Sequence, residues 1–463
     1  MKKAVIFTLI AVFAIIAKAQ KTEQVLDKTD TSAWQDVQKQ LNPNEAVIEF
    51  VHFNLHDKLG TDSTMYAAWV LRQGMESPVW IPLCEQKQLE SILQATEEDT
   101  QLQIENLYNA KGEKLYQLVW QDLEKELPNI RTVYYSTSRL LHKIAFNALP
   151  VDKGDILLSD KYDLQLVSSL REVTRLKEEA TTASFQDTIV IYGGLTYDKR
   201  QLDYQRTDKQ TPEDSDRFID RFRNRRRDLE LPDADLRSGF SGWKYLAGTK
   251  AEADQIVSLL ENRHIPYKYY TGDQGTEESF KQLSGTKTEI IHIATQSFHI
   301  SGIENKSVRD FIQFLGRGQE NTLENPMLRS GLIMSNANEL TLAKEYATGD
   351  DMEDGILTAD EIARLNLMET KLVVLSGCET GLDDVKNREG VFGLQRAFKL
   401  AGVESLIMSL WKVPDDATSE LMTTFYQQWL SGQSKQNAFK IAQQKVREKY
   451  KSPYYWAAFV MMD

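Results

Sequence analysis

Lys371-Leu-Val-Val-Leu-Ser-Gly-Cys-Glu-Thr-Gly381 decides the fold. A short, wholly apolar run that stops at a glycine reads as a strand buried on both faces, the kind a parallel sheet contains. This run delivers Cys378 to its C-terminal end, beside Gly377 and Gly381. That end is where open parallel sheets place their sites. Glycines there let backbone N–H groups approach a substrate oxygen, as an oxyanion hole requires. The same thiol also reads as an inert buried cysteine, the commonest fate of a lone one.

The pattern repeats outward from this strand. Thr288 to Thr295 and Ser405 to Leu410 read as further strands, and Asp187 to Tyr192 as another that ends at Gly193-Gly194. Helical spacing falls between and after them, over Ala251–Asn262, Thr358–Leu365, Val391–Leu400, Thr418–Leu430 and Gln436–Lys449. Strand and helix alternating at this interval predict a mostly parallel sheet with helices on both faces. One stretch does not fit. Residues 198–241 are charged and aperiodic, with Arg221-Phe-Arg-Asn-Arg-Arg-Arg227 inside them. A segment of that length reads as an insertion or loop rather than core. Its arginines read as a solvated face balanced by neighbouring Asp and Glu.

Residues 30–180 form an earlier α/β region without a catalytic cluster. Helices are expected over 31–41, 86–94 and 106–127, and strands over Glu45–Phe53, Met65–Arg72, Val79–Leu83 and Thr132–Tyr135. Ahead of it, Met1-Lys-Lys is followed by an apolar run from Ala4 to Ala17 and the small-x-small triplet Ala17-Lys-Ala19. This reads as a secretory signal peptide over 1–19, too short to span a bilayer. The expected location is periplasmic or extracellular, and no membrane span is expected in the mature chain.

Composition excludes several classes. The chain of 463 residues carries a net charge of −13, an unfavourable balance for nucleic acid. Two cysteines rule out a disulfide scaffold and a Cys-based zinc site, although Cys84 and Cys378 would pair if the fold joined them. No cofactor or metal is expected. Asp350 to Glu361 matches part of a calcium loop, but Met352 stands at a ligand position; Thr358-x-x-Glu361 reads better as a capping box.

A Cys nucleophile needs a base, normally histidine. Of the six histidines, His292 and His299 flank a buried strand in the right half. His292 sits about four residues, roughly 13 Å, short of the strand end and reads as a packed core residue. His299 lies past the strand and is the possible surrogate base.

Five stretches together resemble the CHAT family, caspase- and separase-like cysteine peptidases. They are Leu141-His-Lys-Ile-Ala-Phe-Asn-Ala-Leu-Pro150, Leu246-Ala-Gly-Thr-Lys-Ala-Glu252, Ser376-Gly-Cys-Glu-Thr-Gly381, Ser409-Leu-Trp-Lys-Val-Pro-Asp415 and Tyr454-Tyr-Trp-Ala-Ala-Phe459. The resemblance implies a caspase-like three-layer sandwich over 186–463, preceded by the smaller related region. It implies Cys378 as nucleophile and the N–H groups near Gly377 as oxyanion donors. The family's base belongs to a strand-end motif that reads His292-Ile-Ala-Thr-Gln-Ser297 here, so Gln296 occupies its position. An amide has no nitrogen that takes up a proton near neutral pH. Asp415 is implied as the acid that selects a basic substrate side chain; on its own it reads equally as an N-cap for a helix starting near Ala417. The expected function is an exported, endopeptidase-like protein with impaired catalysis. The alternative is a silent scaffold that binds a protein segment. Either way the partner is a protein or peptide; the sequence leaves the oligomeric state open.

Overall fold

The computed structural model describes residues 34–56, 62–94, 99–151, 156–178, 188–198, 243–300, 306–316, 322–340, 354–377 and 390–463. The signal-peptide stretch, residues 199–241 of the charged insertion and positions 350–353 of the acidic loop lie outside the described residues.

In chain order the strands are β1 (Glu45–His56), β2 (Asp62–Arg72), β3 (Val79–Glu85), β4 (Thr132–Ser136), β5 (Pro150–Val151), β6 (Ile156–Leu157), β7 (Asp163–Leu166) and β8 (Thr188–Leu195). They continue with β9 (Tyr267–Gly272), β10 (Thr288–Ala294), β11 (Ser297–His299), β12 (Ser330–Ile333), β13 (Ile356–Thr358), β14 (Leu372–Leu375), β15 (Ser405–Ser409) and β16 (Phe459–Met462). Eleven of them share one sheet in the order β3-β2-β1-β4-β7-β16-β15-β14-β10-β8-β9. The strands β9, β8, β10, β14 and β15 run parallel. So do β16, β7, β4 and β1. These two blocks meet antiparallel at β15–β16. The early region and the later one are therefore joined edge to edge through the last strand of the chain.

Every residue of β10, β14 and β15 is buried, which is why they carry continuous apolar runs rather than alternation. The principal helices are α1 (Trp34–Gln40), α2 (Glu172–Glu178), α3 (Ala247–Glu261), α4 (Ala359–Ala363), α5 (Gly390–Leu400), α6 (Asp415–Leu430) and α7 (Lys435–Tyr450). One core contains Ile189, Ile191, Ile290, Leu372 and Val374, covered by α3, α6 and α7. The other contains the alternate residues Val190, Ile291, Ile293, Val373 and Leu375, covered by α4 and α5. The period-2 split of each strand between two cores makes the fold a three-layer α/β sandwich.

Two expectations needed correction. The helical spacing over 106–127 is not one helix: a π-turn at Asn106–Ala110, a helix at Gly112–Val119 and a 3₁₀ turn at Leu123–Glu126 replace it. Gly112, which opens the second piece, packs where any Cβ would meet Pro150 at 2.7 Å. Asp415 is not an N-cap, since α6 starts at Asp415 itself and Pro414 occupies the cap. Carboxylates favour the first helical turn as well as the cap, so the residue type did not separate the two.

Candidate active site

The parallel pairing of β10 with β14 sets Ile293 beside Leu375, and the Ser376 N–H donates to the Ile293 carbonyl at 3.0 Å. The chain segments leaving both strands therefore run side by side. Gly377 packs so tightly on Thr295 that an added Cβ would stand 2.5 Å from the Thr295 carbonyl oxygen and 2.8 Å from its nitrogen. Only glycine fits there. Cys378, the next residue, lies outside the described residues.

The loop after β10 is held by a directed relay. Gln296 N–H donates to the Tyr197 hydroxyl at 3.2 Å. That hydroxyl lies 2.8 Å from Thr295 Oγ1, which donates to the Ile333 carbonyl at 2.6 Å. The Ile333 N–H closes the ring by donating to the Gln296 carbonyl at 2.8 Å. Tyr197 and Thr295 are buried, so this relay is rigid rather than solvent-exchanged. The Gln296 side chain donates from Nε2 to the Lys244 carbonyl at 2.6 Å. This bond ties the Gln296 side chain to the segment that leads into α3.

His292 is a packed core residue. It is fully buried, with Nε2 2.8 Å from Glu252 Oε1 and Nδ1 3.2 Å from the Tyr426 hydroxyl. These contacts tie α3 and α6 to β10. Burial, reinforced by the Glu252 carboxylate, holds the Tyr426 hydroxyl well above the usual phenol range. His299 sits elsewhere, on β11 of a small antiparallel sheet β11-β12-β13, opposite Ser330 and half-buried.

Asp415 opens α6, exposed, with its carboxylate laid over Gly248 in the first turn of α3: an added Cβ at Gly248 would stand 1.9 Å from Oδ2. Sequence reasoning missed Gly248; its signal was the glycine inside the Leu246–Glu252 motif, at a helical position where glycine is otherwise costly. Sequence reasoning also missed Tyr197 and Lys244, which carry no motif. Ser376 is buried at the strand end, and its hydroxyl has no hydrogen-bond partner among the described residues.

Cys84 is a buried free thiol on β3, and burial pushes it up to about 11. Seven strand spacings separate β3 from β14. At about 4.8 Å each that is roughly 34 Å between the strand of Cys84 and the strand that leads to Gly377.

The CHAT domain family model matches residues 109–463, and the chain belongs to that family. Among curated proteins it resembles tetratricopeptide repeat protein 28 of Homo sapiens, 30% identical over 136 residues, 26% of this chain and 5% of that protein. The Mus musculus protein of the same name is 26% identical over 236 residues, 48% of this chain and 9% of that one. The chain thus aligns with only a small part of these relatives. Two solved structures are also similar. One is the Arg-specific cysteine proteinase gingipain R of Porphyromonas gingivalis, at TM-score 0.37 and 9% identity over 81% of this chain and 69% of that one. The other is the separase–securin complex of Saccharomyces cerevisiae, at TM-score 0.42 and 11% identity over 92% of this chain and 30% of that one.

Proposed function

We propose that this protein is a peptidase-like CHAT protein that binds an extended protein segment across the ends of β10 and β14 and has lost base-assisted hydrolysis. The observation that carries the reading is the Gln296 side-chain amide hydrogen-bonded to the Lys244 carbonyl; by the resemblance of the strand-end motif, Gln296 takes the place of the family's base. General-base assistance contributes roughly 10²–10⁴-fold, so its loss leaves binding as the main remaining activity. Cys378 occupies the nucleophile position, and the N–H groups at Gly377 and beyond would hold a substrate carbonyl. Asp415 selects a basic side chain, its approach made possible by Gly248. A surrogate base would be His299, if β11 moved toward the strand ends, or a histidine from a partner.

Fluorescent peptides with a central Arg or Lys test this. Saturable binding without turnover, weakened about tenfold by Asp415→Asn, is the expected result. Hydrolysis by the wild-type chain that His299→Ala abolishes would instead make the protein an active peptidase. Export belongs to the same proposal, resting on residues 1–19. A mature N-terminus at Gln20, read by sequencing the protein from a periplasmic or culture fraction, is expected; an intact Met1 in the cytosol would contradict it.

A further inference from the structure

The early end of the sheet carries a second surface with its own chemistry. On the face opposite the large core, α1 and α2 cover only the first row, through Val37, Val173, Val47, Leu71 and Tyr134. Beyond that row no described helix packs on β1, β2 and β3. The next row is in register: Glu49 pairs with Trp69, and Trp69 with Trp80. One row further, Val51 pairs with Ala67. The small Ala67 leaves room for Trp80 to reach Phe53, at 5.7 Å between ring centroids, while Trp80 meets Trp69 edge-on at 4.8 Å. All three aromatic rings are half-buried.

A carboxylate is out of place on such a surface. Glu49 makes no hydrogen bond or ion pair among the described residues, and burial alone raises its carboxyl. None of the residues that β1, β2 and β3 direct to this face is basic. Directly paired side chains stand about 4.5–5.5 Å apart at Cβ, so a cation lying on the Trp69 ring is also within reach of the Glu49 carboxylate. A planar guanidinium satisfies both at once: it stacks on the indole and donates two parallel hydrogen bonds to the carboxylate. An ammonium is more strongly hydrated and lacks the planar fork.

We infer that the Glu49–Trp69–Trp80–Phe53 face is a docking surface for a partner protein segment that presents an arginine between apolar side chains. The apolar flanks cover Val51 and Phe53, and the guanidinium neutralises Glu49. This surface lies on the far edge of the sheet from β10 and β14, so its occupant need not be the segment bound at the candidate active site.

The probe is a labelled pentapeptide, Leu-Arg-Val-Arg-Leu, compared by fluorescence anisotropy with the same peptide carrying citrulline for arginine. The full chain is used with Asp415→Asn, which removes the acid of the other site. The arginine peptide is expected to bind at least tenfold more tightly than the citrulline peptide. Glu49→Gln, whose thermal melt should match the parent, abolishes the difference, and Trp80→Ala weakens both peptides. Equal affinity for the two peptides, a difference that survives Glu49→Gln, or no binding of either would overturn the inference. So would self-association of the chain through this face, seen as a dimer in sedimentation that Trp80→Ala dissolves.

Discussion

Two glycines set the geometry of the candidate site, and each makes a prediction. Gly377 lies against the Thr295 backbone, where no side chain can give way. Gly377→Ala therefore forces β10 and β14 apart at their ends and is expected to cost about 1–3 kcal/mol in urea unfolding, the usual range for overpacking; an unchanged midpoint would show that the two segments are not in contact. Gly248 is the seat of the Asp415 carboxylate. Gly248→Ala evicts that carboxylate while improving helix propensity by about 0.8–1 kcal/mol. Binding of basic peptides should then fall as far as in Asp415→Asn, with a melting temperature at least as high as the parent's. A drop in stability instead of in binding would mean that the contact is merely structural.

At the scale of elements, the strands that carry the site were legible and the ones that frame it were not. β10, β14 and β15 are buried on both faces, so each announces itself as an apolar run. β11 and β13 have three residues each, and β7 and β16 four, too short for any periodicity to emerge. Their pairing is set by the neighbours they meet, which is why His299 read as a loop residue and lies on a strand. The meeting of the ends of β10 and β14, where Gly377 packs on Thr295, was legible through motifs; the Tyr197–Thr295–Ile333 relay was not, because it joins three distant segments through single side chains. The capping box was fully local and therefore readable: Thr358 Oγ1 accepts from the Glu361 N–H at 3.2 Å, and Glu361 Oε2 accepts from the Thr358 N–H at 2.9 Å. Burial works to raise the Glu361 carboxyl, but Lys281 and the Thr358 bonds outweigh it and hold it below the usual range. Thr358→Ala should cost about 1 kcal/mol by thermal or urea denaturation; a neutral result would remove the cap from the account.

For the whole molecule, one continuous sheet joins the early strands to the later block, and its stability carries a pH signature from a half-buried histidine. Burial, with the nearby His52 ring second, pushes His142 down to about 3, so it stays neutral in the fold. The unfolded chain takes up a proton there near 6.5 and the folded chain refuses it. Stability is therefore lost as pH falls through that window, by up to about 1.4 kcal/mol per unit until about pH 3. His142→Asn should flatten the slope of unfolding free energy between pH 6 and 4 relative to the parent; equal slopes would show that the imidazole is solvated.

The central proposal is that Cys378 has the Gln296 amide as its neighbour in place of a proton acceptor. The most direct test is the pH profile of Cys378 alkylation by iodoacetamide, followed by peptide mass spectrometry in the wild-type chain and in Gln296→His. The wild-type profile should rise around pH 8.5, the value of an unassisted thiol, and the variant's should move below pH 7. A wild-type cysteine that already alkylates with a midpoint below 7 would contradict the account.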